Sequence, residues 1–101
     1  ITIVGDGEQR RDFTYIDYIV DGLVKIMETE HYHDDAWELG TGTNHSINEM
    51  AQMFIDKFNC EKVHIPDQKG NYRKTLREHD DALSILHWEP KDKLKEYINS
   101  L

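Results

Sequence analysis

The chain has little that could staple it, anchor it or draw it to polyanions. A single cysteine, Cys60, excludes an internal disulfide and suits a reducing cytoplasm. No apolar run approaches the ~18 residues of a membrane span, and no secretory leader is expected. Twelve Lys and Arg face 20 Asp and Glu, a net charge of -8 that argues against nucleic acid or an anionic membrane as partner. A local basic site for a small anion is compatible with that balance. Internal repeats and low-complexity segments are absent.

What is present is hydrophilic but ordered in pattern. Charged residues make up 32% of the chain and the mean hydropathy is -0.76, yet the apolar residues recur at regular spacings, which excludes disorder as the main state. A chain of 101 residues makes one domain at most, burying ~65% of the surface of its unfolded form. Its opening, Ile1-Thr2-Ile3-Val4 with no initiator Met, reads as a fragment of something longer.

The β-branched run Ile1 to Val4 predicts a strand, and Gly5-Asp6-Gly7 a turn that supplies positive φ. Asp12 to Ile16 predicts a second strand, forming either a hairpin with the first or a pair with something absent. Ile16, Ile19, Val20, Leu23, Val24 and Met27 recur every three or four residues, a helix face running to about Thr29. Gly22 within it costs ~1 kcal/mol relative to Ala, tolerable where close packing demands a small residue. Glu30 to Asp35 reads as a loop, and Ala36 to Leu39 as a short strand ended by Gly40-Thr41-Gly42. Ser46 with Glu49 forms a capping box ahead of the helix of Ile47, Met50, Ala51, Phe54, Ile55 and Phe58. Lys62 to Ile65 alternates as a strand, Asp67 to Thr75 is a loop, and helices are predicted around Asp80 to Leu86 and from Lys91. The last carries Leu94, Tyr97, Ile98 and Leu101 on one face. The order βαβαβαα is that of an α/β protein, with short strands alternating with amphipathic helices.

Chemistry is concentrated near the start. In Gly5-Asp6-Gly7-Glu8-Gln9-Arg10-Arg11-Asp12-Phe13-Thr14-Tyr15-Ile16-Asp17 a glycine turn leads past two arginines into a helix. Forked guanidinium donors match phosphate or carboxylate oxygens. Asp12 and Asp17 do not define a catalytic pair, and Asp17 suits the positive end of the helix dipole. Gly40-Thr41-Gly42 lies between strand and helix, but position 45 is His45 where a dinucleotide fingerprint needs its third glycine. His31 and His33, beside Asp34 and Asp35, lack a matching distant cluster, so no metal site is expected. Cys60 has no partner at ligand spacing and reads as a half-buried thiol near a helix end.

This opening stretch resembles that of the extended short-chain dehydrogenase/reductases, the NAD-dependent nucleotide-sugar epimerases and dehydratases. The Gly-Asp-Gly turn, the Arg-Asp-aromatic step and an acidic position follow in the family's order, in what is the C-terminal half of such enzymes. Downstream, Pro66-Asp67-Gln68-Lys69-Gly70-Asn71-Tyr72 is similar to their nucleotide-covering loop, and Leu86-His87-Trp88-Glu89-Pro90 to their Leu-Gly-Trp-x-Pro ending. The resemblance implies that Arg11 contacts the diphosphate of a nucleotide sugar and that Phe13, Gln68 and Asn71 belong to the same substrate site, while Arg10 is a surface residue. Tyr18 stands where the family carries a second acid, Gln68 where it has arginine, Asn71 where it has an acid, and His87 where it has glycine. Lys69, Arg73 and Arg77 are the candidates to compensate for the charge lost at Gln68.

The resemblance does not extend to the chemistry. The family moves a proton with a Tyr-x-x-x-Lys pair while NAD accepts and returns a hydride. Here Tyr15, Tyr18, Tyr32, Tyr72 and Tyr97 are followed four residues later by Ile19, Gly22, Ala36, Leu76 and Leu101. No catalytic residue is assigned. The expectation is a substrate-binding C-terminal fragment of an epimerase/dehydratase, binding no NAD by itself, with the nucleotide diphosphate sugar and a missing N-terminal NAD-binding domain as partners. The alternative is a noncatalytic nucleotide-binding or protein-interaction module of the same descent. Either reading leaves exposed apolar surface on the helix from Ile16 to Met27, relieved by a homodimer or by altered packing.

Overall fold

The computed structural model describes residues 1–70 and 73–101. Eight elements follow the chain: β1 (Thr2–Val4), β2 (Arg10–Arg11), α1 (Ile16–Glu28), β3 (His45–Ser46), α2 (Ile47–Phe58), β4 (Val63–Ile65), α3 (Asp81–Ile85) and α4 (Leu94–Asn99). The strands form two small sheets. β1 pairs in parallel with β4, Ile3 opposite His64. β2 pairs antiparallel with β3, Arg10 opposite Ser46 and Arg11 opposite His45, and Lys74 bridges to Arg10 from the other side.

The α/β class and most of the helices match the sequence reading, and the strands are where it needs correction. β1 and β2 do not form a hairpin. A β1–β4 parallel pair needs a long crossover, and the chain supplies it through both β2–β3 and α2. The strand expected over Asp12 to Ile16 is absent, because side chains rather than a ladder hold this segment. The Asp12 amide donates to Thr75 Oγ1 at 3.1 Å, and the Asp12 carboxylate accepts from the Thr14 hydroxyl at 3.1 Å. Ala36 to Leu39 also forms no strand. Trp37 and Leu39 pack into the core instead, and Glu38 Oε2 accepts the amides of Glu78 and His79 at 3.0 and 2.6 Å. The final helix begins at Leu94, not Lys91, since the Asp92 carboxylate takes the Leu94 amide at 3.2 Å, a local bond that competes with an earlier helical turn.

Two apolar centres hold the fold. One is Ala82, Leu86 and Trp88, with Tyr18, Ile26, Trp37, Leu39 and Leu83 packed against it. Trp88 is wholly buried and its indole N–H donates to the Tyr18 carbonyl at 2.8 Å, pinning the C-terminal third to α1. Gly22 is needed at this seam. A Cβ there would lie 3.0 Å from both Leu39 methyls and 3.2 Å from Trp88 Nε1. The other is where α2 packs on α4, burying Ala51, Leu94 and Ile98; Ile3 of β1 is buried as well. Only Leu94 and Ile98 of the α4 face are buried, and Tyr97 and Leu101 stay exposed.

The expected capping box is present: Ser46 Oγ accepts the Glu49 amide at 3.0 Å and the Glu49 carboxylate accepts the Ser46 amide at 3.1 Å. The outer face of α1 is bare. Ile16, Val20, Leu23, Val24 and Met27 are all exposed, Met27 at 83%. An unbroken apolar stripe of this kind on one helix marks a contact surface.

Candidate functional site

β1 and β2 both leave their turn facing the segment after β4, and the space between them is a depression of about 390 Å³. The turn is built for it. Gly5 and Gly7 both adopt φ 75°, and a Cβ on Gly7 would run into the Asn48 side-chain amide, so glycine is favoured there. The Asp6 carboxylate accepts from the Glu8 amide at 2.9 Å and from the Arg73 fork at 3.1 and 3.3 Å. The Arg73 hydrogen bonds hold the Asp6 carboxyl below its ordinary range, and Asp6 raises Arg73 in turn.

Val4, Gln9 and Arg11 line one side of the depression, and Gln68, Lys69 and Gly70 the other. Thus two of the residues expected from the sequence, Arg11 and Gln68, share one cleft across a long stretch of chain. Phe13 lies elsewhere. It lines a separate, apolar depression with Tyr15, Lys93, Leu94 and Tyr97. Asn71 lies outside the described residues.

Arg11 sits on β2 with one guanidinium N–H donated to the Arg10 carbonyl at 2.8 Å. Arg10 is more than a surface charge. It donates to Asn44 Oδ1 at 2.9 Å, the Asn44 carbonyl at 3.1 Å and Glu49 at 3.2 Å, clamping β2 to the head of α2. The Ser46 amide first, then Arg10, keep the Glu49 carboxyl below its usual range. Arg77 is spent as well, on the Gly40 carbonyl at 2.7 Å and Asp80 at 3.0 Å.

Gln9 carried no signal in the sequence, and only burial reveals it. It is 5% exposed, and its Nε2 donates to the Val4 carbonyl at 3.0 Å. That carbonyl fixes the orientation of the amide, because the reversed amide would set oxygen against oxygen. Gln9 Oε1 is then left buried without a partner, an acceptor at the cleft whose desolvation is uncompensated.

The other candidate groups are structural. Asp12 receives the amides of Thr41 and Gly42 at 3.1 and 3.0 Å and the Thr41 hydroxyl at 2.7 Å. The Gly40-Thr41-Gly42 turn therefore spends its donors on a carboxylate, and Arg77 Nη2 fills the space where a Cβ of Gly42 would stand, at 2.6 Å. That turn does not fit a dinucleotide pyrophosphate. Asp17 lies in the first turn of α1. His33 holds Asp81 through Nε2 at 2.7 Å and accepts the Asp35 amide through Nδ1 at 3.1 Å, so both its nitrogens are in use. Among the described residues only Glu38, Glu78 and His79 bring ligand atoms close enough to share a cation, and they are mostly exposed. Cys60 is half-buried just past α2. No helix is long and apolar enough to cross a membrane.

What the cleft can do is bind. Among the described residues two cations line it, and no carboxylate does. The comparisons with known proteins agree with the sequence motifs. Residues 1–40 match the NAD dependent epimerase/dehydratase family, and curated relatives that include UDP-sugar epimerases align with 91% to 99% of this chain. UDP-glucuronate 4-epimerase of Thermodesulfobacterium geofontis is 32% identical over 100 residues, which cover 95% of this chain and 30% of that protein. The crystal structure of UDP-glucose 4-epimerase from Thermotoga maritima with UDP-glucose superposes with a TM-score of 0.86 at 31% identity, over 98% of this chain and 32% of that one. UDP-glucuronic acid 4-epimerase from Bacillus cereus, in complex with UDP-glucuronic acid and NAD, gives 0.85 at 28% identity over 96% of this chain and 32% of that one. The chain spans 22% to 33% of the length of the curated relatives it matches.

Proposed function

We propose that this chain supplies the nucleotide-diphosphate-sugar half of the substrate site in an NAD-dependent epimerase/dehydratase, and that it is not catalytic alone. The observation that carries this reading is the meeting of Arg11 and Gln68 in one cleft that no described carboxylate lines, on a protein of net charge -8. Arg11 takes the diphosphate through its fork, and Gln68 adds a neutral hydrogen bond where a charge-assisted one is the family habit. Asn71, three residues after Gln68 in the sequence, is the further polar candidate, whereas Phe13 lines the separate apolar depression. The work of these groups is positioning: they fix the substrate while hydride and proton transfer belong to NAD and to residues beyond this chain.

The bare face of α1 supports a partner. It receives either the NAD-binding domain or a second copy of this chain, in the cytoplasm that the lone Cys60 suits. Titration calorimetry of the 101-residue chain with UDP-glucose, UDP-glucuronic acid and a GDP-sugar tests the reading. Saturable heat with a UDP-sugar, abolished in Arg11→Ala, is the expected result. No heat with any nucleotide sugar at millimolar ligand would refute it.

A further inference from the structure

We propose that Lys69 is the second cation of the cleft, binding the diphosphate opposite Arg11 in place of the charge that Gln68 does not carry. The proposal rests on the nucleotide-sugar reading above. Of the four basic residues near the loop in sequence, Lys74 lines a separate depression with Glu78, and the structure separates the other three. Arg73 is held in a two-pronged ion pair by Asp6, at 3.1 and 3.3 Å. Arg77 is nine-tenths covered and committed to the Gly40 carbonyl and Asp80. Lys69 alone of the three lines the cleft with Arg11, and no ion pair joins it to any described residue.

The electrostatics of the surroundings favour the same assignment. Three other depressions that hold a cation also hold a carboxylate: Glu78 beside Lys74 and Arg77, Asp12 and Glu38 beside Arg77, Glu96 beside Lys93. The Phe13 depression holds Lys93 with no lining carboxylate, and there Lys93 is paired with Glu96 at 3.3 Å. The Arg11–Lys69 cleft has no carboxylate among its described lining residues. A diphosphate carries two anionic centres, and a fork on one wall with a flexible ammonium on the other can meet one each. A Cβ built on Gly70, at φ 82°, meets no atom of the other described residues within 4 Å. The Gln68 backbone N–H donates to Asp67 Oδ1 at 2.9 Å.

UDP and UMP titrated into the wild-type chain and into Lys69→Met, Lys69→Arg, Arg73→Met and Arg11→Ala decide the matter, with amide spectra to confirm that each variant is folded. Lys69→Met is expected to weaken UDP about tenfold, the scale of one charge-assisted hydrogen bond at an exposed site. UMP, with one phosphate, loses less. Lys69→Arg restores UDP affinity, Arg73→Met leaves it unchanged, and the salt dependence of UDP binding is shallower in Lys69→Met than in wild type. If Arg11→Ala loses UDP while Lys69→Met binds it as wild type does, the role of Lys69 is overturned and the nucleotide-sugar reading stands. If wild type binds neither nucleotide, both are overturned.

Discussion

Replacing His87 by glycine should stabilise this protein, although it deletes a whole side chain. His87 sits between α3 and the buried Trp88 with φ 55°, the left-handed region. A Cβ there crowds the backbone at a cost of roughly 1–2 kcal/mol. Its imidazole is exposed, so truncation removes no packed surface. Glycine relieves the crowding but enlarges the freedom of the unfolded chain by roughly 0.5–1 kcal/mol, and the balance is a gain of roughly 0–1.5 kcal/mol, centred on ~0.75 kcal/mol. For a domain of this size each kcal/mol moves the melting temperature by ~4–8 °C, so a rise of a few degrees is expected. His87→Ala is the control: it removes the imidazole but keeps the Cβ. Thermal melts followed by circular dichroism, repeated as urea titrations, measure all three chains. A His87→Gly protein that melts at or below His87→Ala would refute the strain argument.

Four further perturbations probe other parts of the fold. Ser46→Ala breaks the capping box and should cost ~1 kcal/mol, read as a lower urea midpoint at unchanged slope. Trp88→Phe removes the indole hydrogen bond to the Tyr18 carbonyl and opens a void, and should cost roughly 1–3 kcal/mol, again by urea titration. The Glu38–His79 pair has opposite shifts. The His79 amide first lowers Glu38 from 4.5, and the Glu38 hydrogen bond raises His79 from 6.5. Stability from Glu38 is present above 4.5 and lost as pH falls through its lowered value, and that from His79 is full below 6.5 and lost as pH rises through its raised value. The melting difference between wild type and Glu38→Gln should therefore peak between those values and vanish in acid, with a remnant at high pH from the two amides Glu38 accepts. Finally, sedimentation should show the chain self-associating through α1 and Leu23→Glu returning it to monomer. A wild type that stays monomeric at every concentration would remove the second copy as occupant of that face.

Helices were legible in the sequence because their signals are local. Ser46 and Glu49 announce α2 within four residues, and the Ile16 to Met27 stripe repeats with the period of a helix. Strands were less so. β2 and β3 are each two residues long and exist only through one another, while the Asp12 and Ala36 segments have strand-like composition but spend their hydrogen bonds on side chains. Such pairings depend on residues distant in sequence, which no periodicity encodes. The same holds for the cleft. Arg11 could be singled out from its motif, but the choice of Lys69 over Arg73 and Arg77 required the Asp6 and Asp80 ion pairs to be seen. Gln9 is an ordinary polar residue until its burial is known. His87 illustrates the reverse: the departure from glycine is plain in the sequence, and the backbone angle supplies its meaning.

The central claim is that the cleft between Arg11 and Gln68 binds a nucleotide sugar. An amide-resolved spectrum of the isolated chain, recorded through a titration with UDP-glucuronic acid, tests it most directly. The account predicts dispersed peaks with saturable shifts centred on Arg11 and on Gln68 to Gly70, and none at those positions in Arg11→Ala. Dispersed peaks that stay still at Arg11 and Gln68, or shifts confined to the Phe13–Tyr97 depression, would contradict it.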